Sequence, residues 1–258
     1  MKKLRFLLAL SLAVVLIQPA LGAVIGVDAV HGYDISSNFA VGDEFDAFRS
    51  TITGLGHTIV PLGNFEAQDL VGLDAIILRQ PYSDNFHDFS PSEMSAIHSF
   101  VNGHAVFVSD CSMWKDTGAD RDIGFGSNQL LLQNTISWIS GGGGLLVAAD
   151  CGSGFEDENL DELVSPYGIS FANSGTEGSG YTVTGFVPHP VTAGLSSVGV
   201  DYQRRITAVS PAADLTIGSG ADNVLAAAVV PEPSSFLVLG SGILALAGAI
   251  RRRRQRAE

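Results

Sequence analysis

Residues 23–229 predict a doubly wound α/β domain with a mostly parallel sheet flanked by helices. Short apolar runs without helical periodicity alternate along the chain with amphipathic segments, which is the pattern of strand–helix–strand units. Two stretches, 90–110 and 128–150, each run from a helix through glycine to an apolar strand and then an aspartate. About 210 residues remain between the two chain ends, enough for one domain with a substantial core.

The first part of the domain predicts three strands and one helix. Strands are expected at 23–29, 57–62 and 74–78, because each is a short apolar run. Residues 41–55 are expected to form an amphipathic helix that ends at Gly56. Its apolar side chains are spaced three and four residues apart and are Phe45, Phe48, Ile52 and Leu55.

The strongest helix signal begins at Ser90. Ser90 is a good N-cap residue, Pro91 suits the first helical position, and Glu93 completes a capping box. A helix is therefore predicted to run to Val101. The elements expected after it are a strand at 105–109, a helix at 128–139 that the glycines 141–144 end, and a strand at 145–149.

The last part of the domain predicts shorter elements. An acidic helix is expected at 155–164, and residues 189–195 (HPVTAGL) predict a tight turn in which His189 is structural rather than a catalytic base. The remaining short strands are expected at 169–171, 181–186, 198–202, 206–209, 214–217 and 224–229.

Four stretches carry a resemblance to a known fold. They are DAIIL (74–78), SPSEMSAIHSFVNGHAVFVSD (90–110), ISGGGGLLVAAD (139–150) and HPVTAGL (189–195). With them, residues 23–229 resemble the class I glutamine amidotransferase-like domains, which have a flavodoxin-like sheet, and in particular the trehalose-utilisation type. The resemblance implies a fold and fixes no activity.

The two cysteines do not fit glutaminase chemistry. That chemistry needs a cysteine between glycines on a sharp strand-to-helix turn, with partnering His and Glu side chains. Cys111 lies in SDCSM and Cys151 in ADCGS, neither has the Gly-x-Cys-x-Gly pattern, and the chain contains no His-x-Glu pair. We therefore assign no catalytic residue.

A disulfide between Cys111 and Cys151 is the alternative. If the strands before them are neighbours in a parallel sheet, their ends lie about 4.8 Å apart, which is within the reach of a disulfide. An exported protein meets conditions in which such a bond persists. Closing the loop would stabilise the fold by about 3–4 kcal/mol.

Four polar residues are expected to share the carboxyl edge of the sheet. Asp110 and Asp150 follow two predicted strands, and His31 and Asp34 lie in the turn after the first strand. Ligands of open α/β sheets bind at this edge. These residues are candidates for a ligand cleft that binds sugar hydroxyls or a divalent metal; the favoured interpretation is that they cap helices or are solvated at the rim of the sheet. The sequence does not identify which divalent metal such a cleft would bind, and no cofactor is expected.

Three aspartates in one loop suggest a second candidate site, for calcium. It lies in the polar loop 115–126, which lacks the spacing of an EF-hand. Its members are Asp116, Asp120 and Asp122.

The amino-terminal 22 residues predict a secretory signal peptide. Lys2, Lys3 and Arg5 precede the mostly apolar stretch 6–17, and small residues stand before the expected cleavage point after Gly22. Signal peptidase is thus an expected partner.

Residues 230–258 predict a membrane-anchored sorting tail. Pro231-Glu232-Pro233 is followed by 17 uncharged residues, SSFLVLGSGILALAGAI, and then by RRRRQRAE. The uncharged run is just long enough for a transmembrane helix, and the arginines place the end of the chain in the cytoplasm. The arrangement resembles the PEP-CTERM sorting signal, which implies recognition by an exosortase-type membrane protease and removal near Pro231–Pro233. A plain C-terminal anchor is the alternative.

The charge of the exported part excludes nucleic-acid binding. Eight of the 14 basic residues and one of the 27 acidic residues lie in the two ends, so residues 23–233 carry six basic and 26 acidic residues, a net charge of −20. Such a surface repels phosphate backbones and anionic polymers.

Two functional hypotheses follow. One is a non-catalytic protein of the cell surface or extracellular matrix that binds polysaccharide, after transient anchoring of its tail in the inner membrane. The alternative is a secreted hydrolase or sugar-modifying enzyme that uses the carboxylates at the strand ends.

Overall fold

A computed structural model gives the structure of the domain. The predicted signal peptide up to Leu21 and the tail beyond Val229 lie outside the residues that it describes. The described residues are 22–31, 39, 43–79, 88–109, 113–118, 122–142, 144–148, 158–171, 181–200, 205–217 and 223–229.

The described part of the chain contains eleven strands, most of them where the apolar runs predicted them. They are β1 (Val24–Asp28), β2 (Thr58–Leu62), β3 (Ala75–Arg79), β4 (Ala105–Ser109), β5 (Leu145–Ala148), β6 (Ile169–Phe171), β7 (Tyr181–Val183), β8 (Val198–Val200), β9 (Ile206–Ala208), β10 (Ala213–Asp214) and β11 (Leu225–Ala228).

Seven of these strands form the central sheet, in the order β2–β1–β3–β4–β5–β11–β10. The five strands from β2 to β5 are parallel, and β11 runs antiparallel to both of its neighbours. The predicted mixed α/β fold with a mostly parallel sheet is therefore confirmed. Two pairs of the later short strands lie outside it, since β6 pairs with β9 and β7 with β8 as separate antiparallel ribbons.

The described part of the chain has four α-helices beside the sheet, and their sequence signals are largely confirmed. The predicted helix 41–55 is shorter than expected, because a 3₁₀ turn at Asp43–Phe45 precedes it and Leu55 is exposed at its end rather than buried on its apolar face. The helices are α1 (Asp46–Gly54), α2 (Pro91–Val101), α3 (Asn128–Ile139) and α4 (Glu158–Val164).

The helices pack on both faces of the sheet. Alternate residues of a strand point to opposite faces, so Ile77 of β3 joins the core that contains Phe48 of α1 and Ile136 of α3. Its neighbour Ile76 joins the second core, which contains residues of α2 and α4. Near-continuous apolar strands such as Ala75–Leu78 are what a sheet covered on both sides requires.

The register of β4 and β5 differs by one residue from the alignment of their sequences. Residues 100–111 and 140–151 both end in Asp-Cys and align Val108 with Ala148, whereas the sheet pairs Val108 with Val147. The two strands are nevertheless adjacent and parallel, which is the arrangement that the disulfide prediction requires.

Candidate functional site

The winding of the sheet reverses between β1 and β3, and buried polar side chains gather at the carboxyl ends of these two strands. Asp28 is the last residue of β1 and Arg79 the last residue of β3, and both are buried. In sheets with this strand order, ligands bind at such a reversal. We call Asp28, His31, Arg79 and Glu93, all of them buried, the switch-point cluster.

The carboxylate of Asp28 organises this cluster. Its Oδ1 accepts hydrogen bonds from the backbone N–H groups of Val30 and His31, each at 3.0 Å. Its Oδ2 accepts from the backbone N–H of Arg79 at 3.2 Å. One side chain therefore shapes the turn after β1 and ties that turn to the end of β3.

The ring of His31 is enclosed by acidic and aromatic groups. Its Nδ1 lies 3.0 Å from Oδ1 of Asp28, and its Nε2 lies 3.8 Å from Oε1 of Glu93. The ring centroid is 4.2 Å from that of Phe89 and 5.5 Å from that of Phe65. Both ring nitrogens thus face carboxylates, and aromatic rings cover the imidazole.

These surroundings favour the protonated form of His31. Burial alone would lower the pKa of His31, but the hydrogen bond to Asp28 and the charges of Asp28, Glu93 and Asp88 outweigh it, so this pKa is raised above its ordinary value. An imidazolium donates from both nitrogens, which suits the carboxylate that each of them faces.

Glu93 links the start of α2 to the cluster. The Ser90 side chain accepts from the N–H of Glu93, and Glu93 Oε2 accepts from the N–H of Ser90, which confirms the predicted capping box. Its Oε1 accepts from the N–H of Phe65 at 3.0 Å. Burial alone would raise the pKa of Glu93, but the hydrogen bonds from Ser90 and Phe65 and the charge of His31 outweigh it, so this pKa is lowered.

Helix α4 holds Phe89 over the His31 ring. The N–H of Phe89 donates to Oδ1 of Asn159 at 3.0 Å, and Nδ2 of Asn159 donates to the carbonyl oxygen of Phe89 at 2.9 Å. This two-point contact fixes the backbone of Phe89 next to the start of α2.

Arg79 adds a buried cation to the cluster. Its guanidinium carbon lies 5.3 Å from the ring centroid of Phe39 and 5.9 Å from that of Phe45. A cation over an aromatic face is stabilised by the negative charge of the ring surface. Both rings belong to the core that α1 and α3 share.

One residue of the predicted ligand cleft lies in the described part of the site. His31 is there, but it faces inward onto Asp28 and Glu93. Asp34, Asp110 and Asp150 lie outside the described residues, as do Cys111 and Cys151. The cleft and the disulfide therefore stay predictions.

Sequence reasoning did not assign Asp28, Arg79 and Glu93 to a site. Asp28 and Arg79 each end an otherwise apolar strand, where a charged side chain is the available signal. Glu93 was predicted as a helix cap, and its second role depends on a contact to Phe65 that no local pattern reveals.

Two of the acids in the loop 115–126 are bonded to backbone groups. Asp116 Oδ2 accepts from the N–H of Ala47 in the first turn of α1. Asp122 accepts from the N–H groups of Gly118 and Gly124. Asp120 lies outside the described residues, and within the part that the structure describes no group of three or more His, Cys, Asp or Glu is arranged to hold a metal ion.

The His189 turn borders an open cleft of about 480 Å³. Nδ1 of His189 accepts from the N–H of Val191 at 3.2 Å, so the neutral ring carries its proton on Nε2. Burial lowers the pKa of His189, which favours that neutral form. Asn134 of α3 donates to the carbonyl oxygens of Val191 and Ala193 and holds the turn in place.

Comparison with known proteins identifies the tail. Residues 229–254 match the PEP-CTERM protein-sorting motif, as the Pro-Glu-Pro, the apolar run and the arginines predicted. The motif supports an exported protein that an exosortase recognises and sorts by way of membrane anchoring. No curated protein matches the sequence.

The predicted transmembrane helix lies in the tail, outside the described residues. Among the helices that the structure describes, none is long and apolar enough to span a bilayer.

Proposed function

We propose that this chain is a surface protein whose amidotransferase-like α/β domain is non-catalytic and binds polysaccharide. Signal peptidase would remove residues 1–22, the tail would anchor the chain in the inner membrane, and exosortase would release the domain to the cell surface or the extracellular matrix. The sorting motif supports the route. The strand order β2–β1–β3–β4–β5 is compatible with the flavodoxin-like sheet that the resemblance implies.

The observation that carries the non-catalytic proposal is the environment of His31. A histidine that activates a nucleophile needs a free ring nitrogen next to a hydroxyl or thiol. Both nitrogens of His31 face carboxylates. Among the described residues, none with a hydroxyl or thiol hydrogen-bonds to this ring. The cluster is therefore suited to holding the carboxyl edge of the sheet rigid.

The charge of the domain favours a neutral glycan. A net charge of −20 over residues 23–233 repels anionic polymers. Carboxylates are strong acceptors for sugar hydroxyls, because hydrogen bonds to an ionised group are stronger than neutral ones. We propose Asp34, Asp110 and Asp150 as the acceptors, beside the rigid turn that contains His31.

Binding and turnover measured together test this proposal. The exported protein is titrated with neutral polysaccharides such as dextran and galactomannan, and the same samples are assayed for released sugars. We expect binding without turnover. Asp110→Asn and Asp150→Asn should each weaken binding about tenfold, the loss of roughly one charge-assisted hydrogen bond.

Asp74→Asn is the matched control, because Asp74 lies before β3 at the opposite edge of the sheet and the amide oxygen can still accept from the N–H of Val24. It should bind like the parent protein. If the parent protein releases sugars and Asp110→Asn or Asp150→Asn abolishes this turnover, the protein is instead a hydrolase or sugar-modifying enzyme. Absence of both binding and turnover would refute polysaccharide recognition.

The intact mass of the exported protein tests the route separately. We expect a chain that begins at Ala23 and ends near Pro231–Pro233. A chain that still ends at Glu258 would show that the tail is a permanent anchor.

A further inference from the structure

The described domain begins and ends at the same edge of the central sheet. Strand β1 starts at Val24, next to Thr58 at the start of β2. Strand β11 runs antiparallel to β5 and pairs Ala228 with Leu145, so it ends where β5 begins. We call this side, where the parallel strands start, the amino-terminal edge. The switch-point cluster lies at the opposite, carboxyl edge.

The sorting tail is connected to the amino-terminal edge by a very short segment. Ala228 is the last residue of β11, and Pro231 follows three residues later. Ser234, where the apolar run begins, is six positions after Ala228, and so short a segment spans at most roughly 20 Å. A tail inserted in a bilayer would therefore keep this edge close to the lipid surface.

The amino-terminal edge also exposes large apolar side chains. Leu55, Val71, Val209 and Val229 are 42%, 80%, 62% and 64% exposed. Each of the first three precedes a strand at this edge, namely β2, β3 and β10, and Val229 follows the end of β11.

Charge is scarce at the same place. The described residues at this edge are 55–57, 71–74, 102–104, 140–142 and 209–212, and Asp74 is the one acidic residue in these ranges; the rest of the connection 63–74 carries Glu66 and Asp69. Its carboxylate accepts from the N–H of Val24 at 2.7 Å. At the described carboxyl edge, Asp88 is exposed, whereas Asp28 and Glu93 are buried against His31. The described ranges at the amino-terminal edge thus carry little of the negative charge by which anionic headgroups repel this acidic domain.

We infer that the amino-terminal edge rests on the lipid surface while the tail is anchored, with the carboxyl edge pointing away from the membrane. Apolar side chains gain free energy when they leave water for the interfacial region of a bilayer. In this orientation the carboxyl edge stays open to large ligands before the tail is cleaved. The inference rests on the membrane anchoring in the proposed function, and it adds a defined membrane-facing surface.

Two matched cysteine variants test this orientation. Gly103→Cys places a thiol before β4 at the amino-terminal edge, and Gly63→Cys places one after β2 at the carboxyl edge. Both glycines are exposed; an added Cβ meets no atom within 4 Å at Gly103, and only a side-chain carbon of Val30 at 3.9 Å at Gly63. The chain with its tail intact is reconstituted in phosphatidylethanolamine–phosphatidylglycerol vesicles and treated with a polymer-linked maleimide. Alkylation is followed peptide by peptide by mass spectrometry, which keeps the native cysteines apart.

We expect the thiol at position 103 to react several-fold more slowly than the thiol at position 63. A Gly/Ser spacer of about 20 residues between Val229 and Val230, with ends roughly 25 Å apart on average, should raise the slower rate to the level of the faster one. The vesicles contain no exosortase. Slower alkylation of the thiol at position 103 in these vesicles is therefore caused by contact with lipid and not by contact with the protease.

The outcomes separate the inference from the function on which it rests. If the chain co-floats with the vesicles in a density gradient and maleimide alkylates the two thiols at the same rate, the proposed orientation is wrong, but the membrane anchoring is supported. If the chain stays in the soluble fraction, both the anchoring and the orientation are refuted.

Discussion

Oδ1 of Asp28 lies 3.0 Å from Nδ1 of His31, and both side chains are buried at the end of β1. The same carboxylate oxygen also accepts from the backbone N–H of His31. A single acidic residue therefore fixes both the backbone and the ring of a histidine three positions away. This arrangement places a charged pair where the sheet reverses its winding, and the stability of the domain should depend on it.

Replacing Asp28 tests this dependence. Asp28→Asn leaves the protonated ring of His31 without its nearest counter-charge, and breaking a buried ion pair in this way costs about 3 kcal/mol. The free energy of unfolding, measured by urea denaturation, should fall by that amount. Asp74→Asn, at the opposite edge, should change it by less than about 0.5 kcal/mol. Equal losses in the two variants would argue against a special role of the pair.

The pH dependence of stability should carry opposite contributions from His31 and Glu93. The raised pKa of His31 contributes stability that is complete below the unfolded value of about 6.5 and is lost as the pH rises through the folded value. The lowered pKa of Glu93 contributes stability that is present above the unfolded value of about 4.3 and is lost as the pH falls through the folded value. The two contributions therefore coincide at about pH 4.3–6.5.

Urea midpoints across this range, compared between the parent chain and His31→Gln, isolate the histidine contribution. The difference between the two proteins should shrink as the pH rises beyond the window. A constant difference would mean that His31 does not gain a proton on folding.

Local patterns predicted the elements because the signals for them are local. The capping box at Ser90 and the glycines after α3 each involve residues within a few positions, and both helices were found where expected. Leu55 was expected in the core from its spacing alone, but α1 ends before it and the side chain is exposed. Periodicity shows which face of a helix is apolar and leaves the last turn undetermined.

The switch-point cluster depends instead on contacts between distant residues. The bond from Phe65 to Glu93 spans 28 residues, and the bond from Arg79 to Asp28 spans 51. The bond between Arg79 and Asp28 exists because β1 and β3 are neighbours, which is a property of strand order and not of composition. The bond between Phe65 and Glu93 joins the β2–β3 connection to the start of α2. His31 lies at this edge, directly after β1, but the sequence could not reveal that its ring faces inward.

A double-mutant cycle measures whether His31 and Glu93 interact directly. Nε2 of His31 lies 3.8 Å from Oε1 of Glu93, so the losses in His31→Gln and Glu93→Gln should be non-additive by about 1 kcal/mol, as for charged residues in one network. Urea denaturation of both single variants and the double variant gives this coupling energy. The same cycle with Asp74→Asn in place of Glu93→Gln should be additive; if both cycles are additive, the two side chains act independently.

Asn159 provides a test of how the ring of Phe89 is held against the ring of His31. Its side chain bonds to both the N–H and the carbonyl oxygen of Phe89, so Asn159→Ala should lower the free energy of unfolding by about 2 kcal/mol, roughly two hydrogen bonds. Hydrogen exchange of the Phe89 amide should accelerate, because its acceptor is gone. Asn159→Asp keeps the acceptor and loses the donor, so its effect should be intermediate. The exposed Glu162 of the same helix gives the control, and Glu162→Ala should leave both measurements unchanged. If Asn159→Ala destabilises the domain without faster exchange at Phe89, the loss comes from α4 itself and the residue does not hold Phe89 in place.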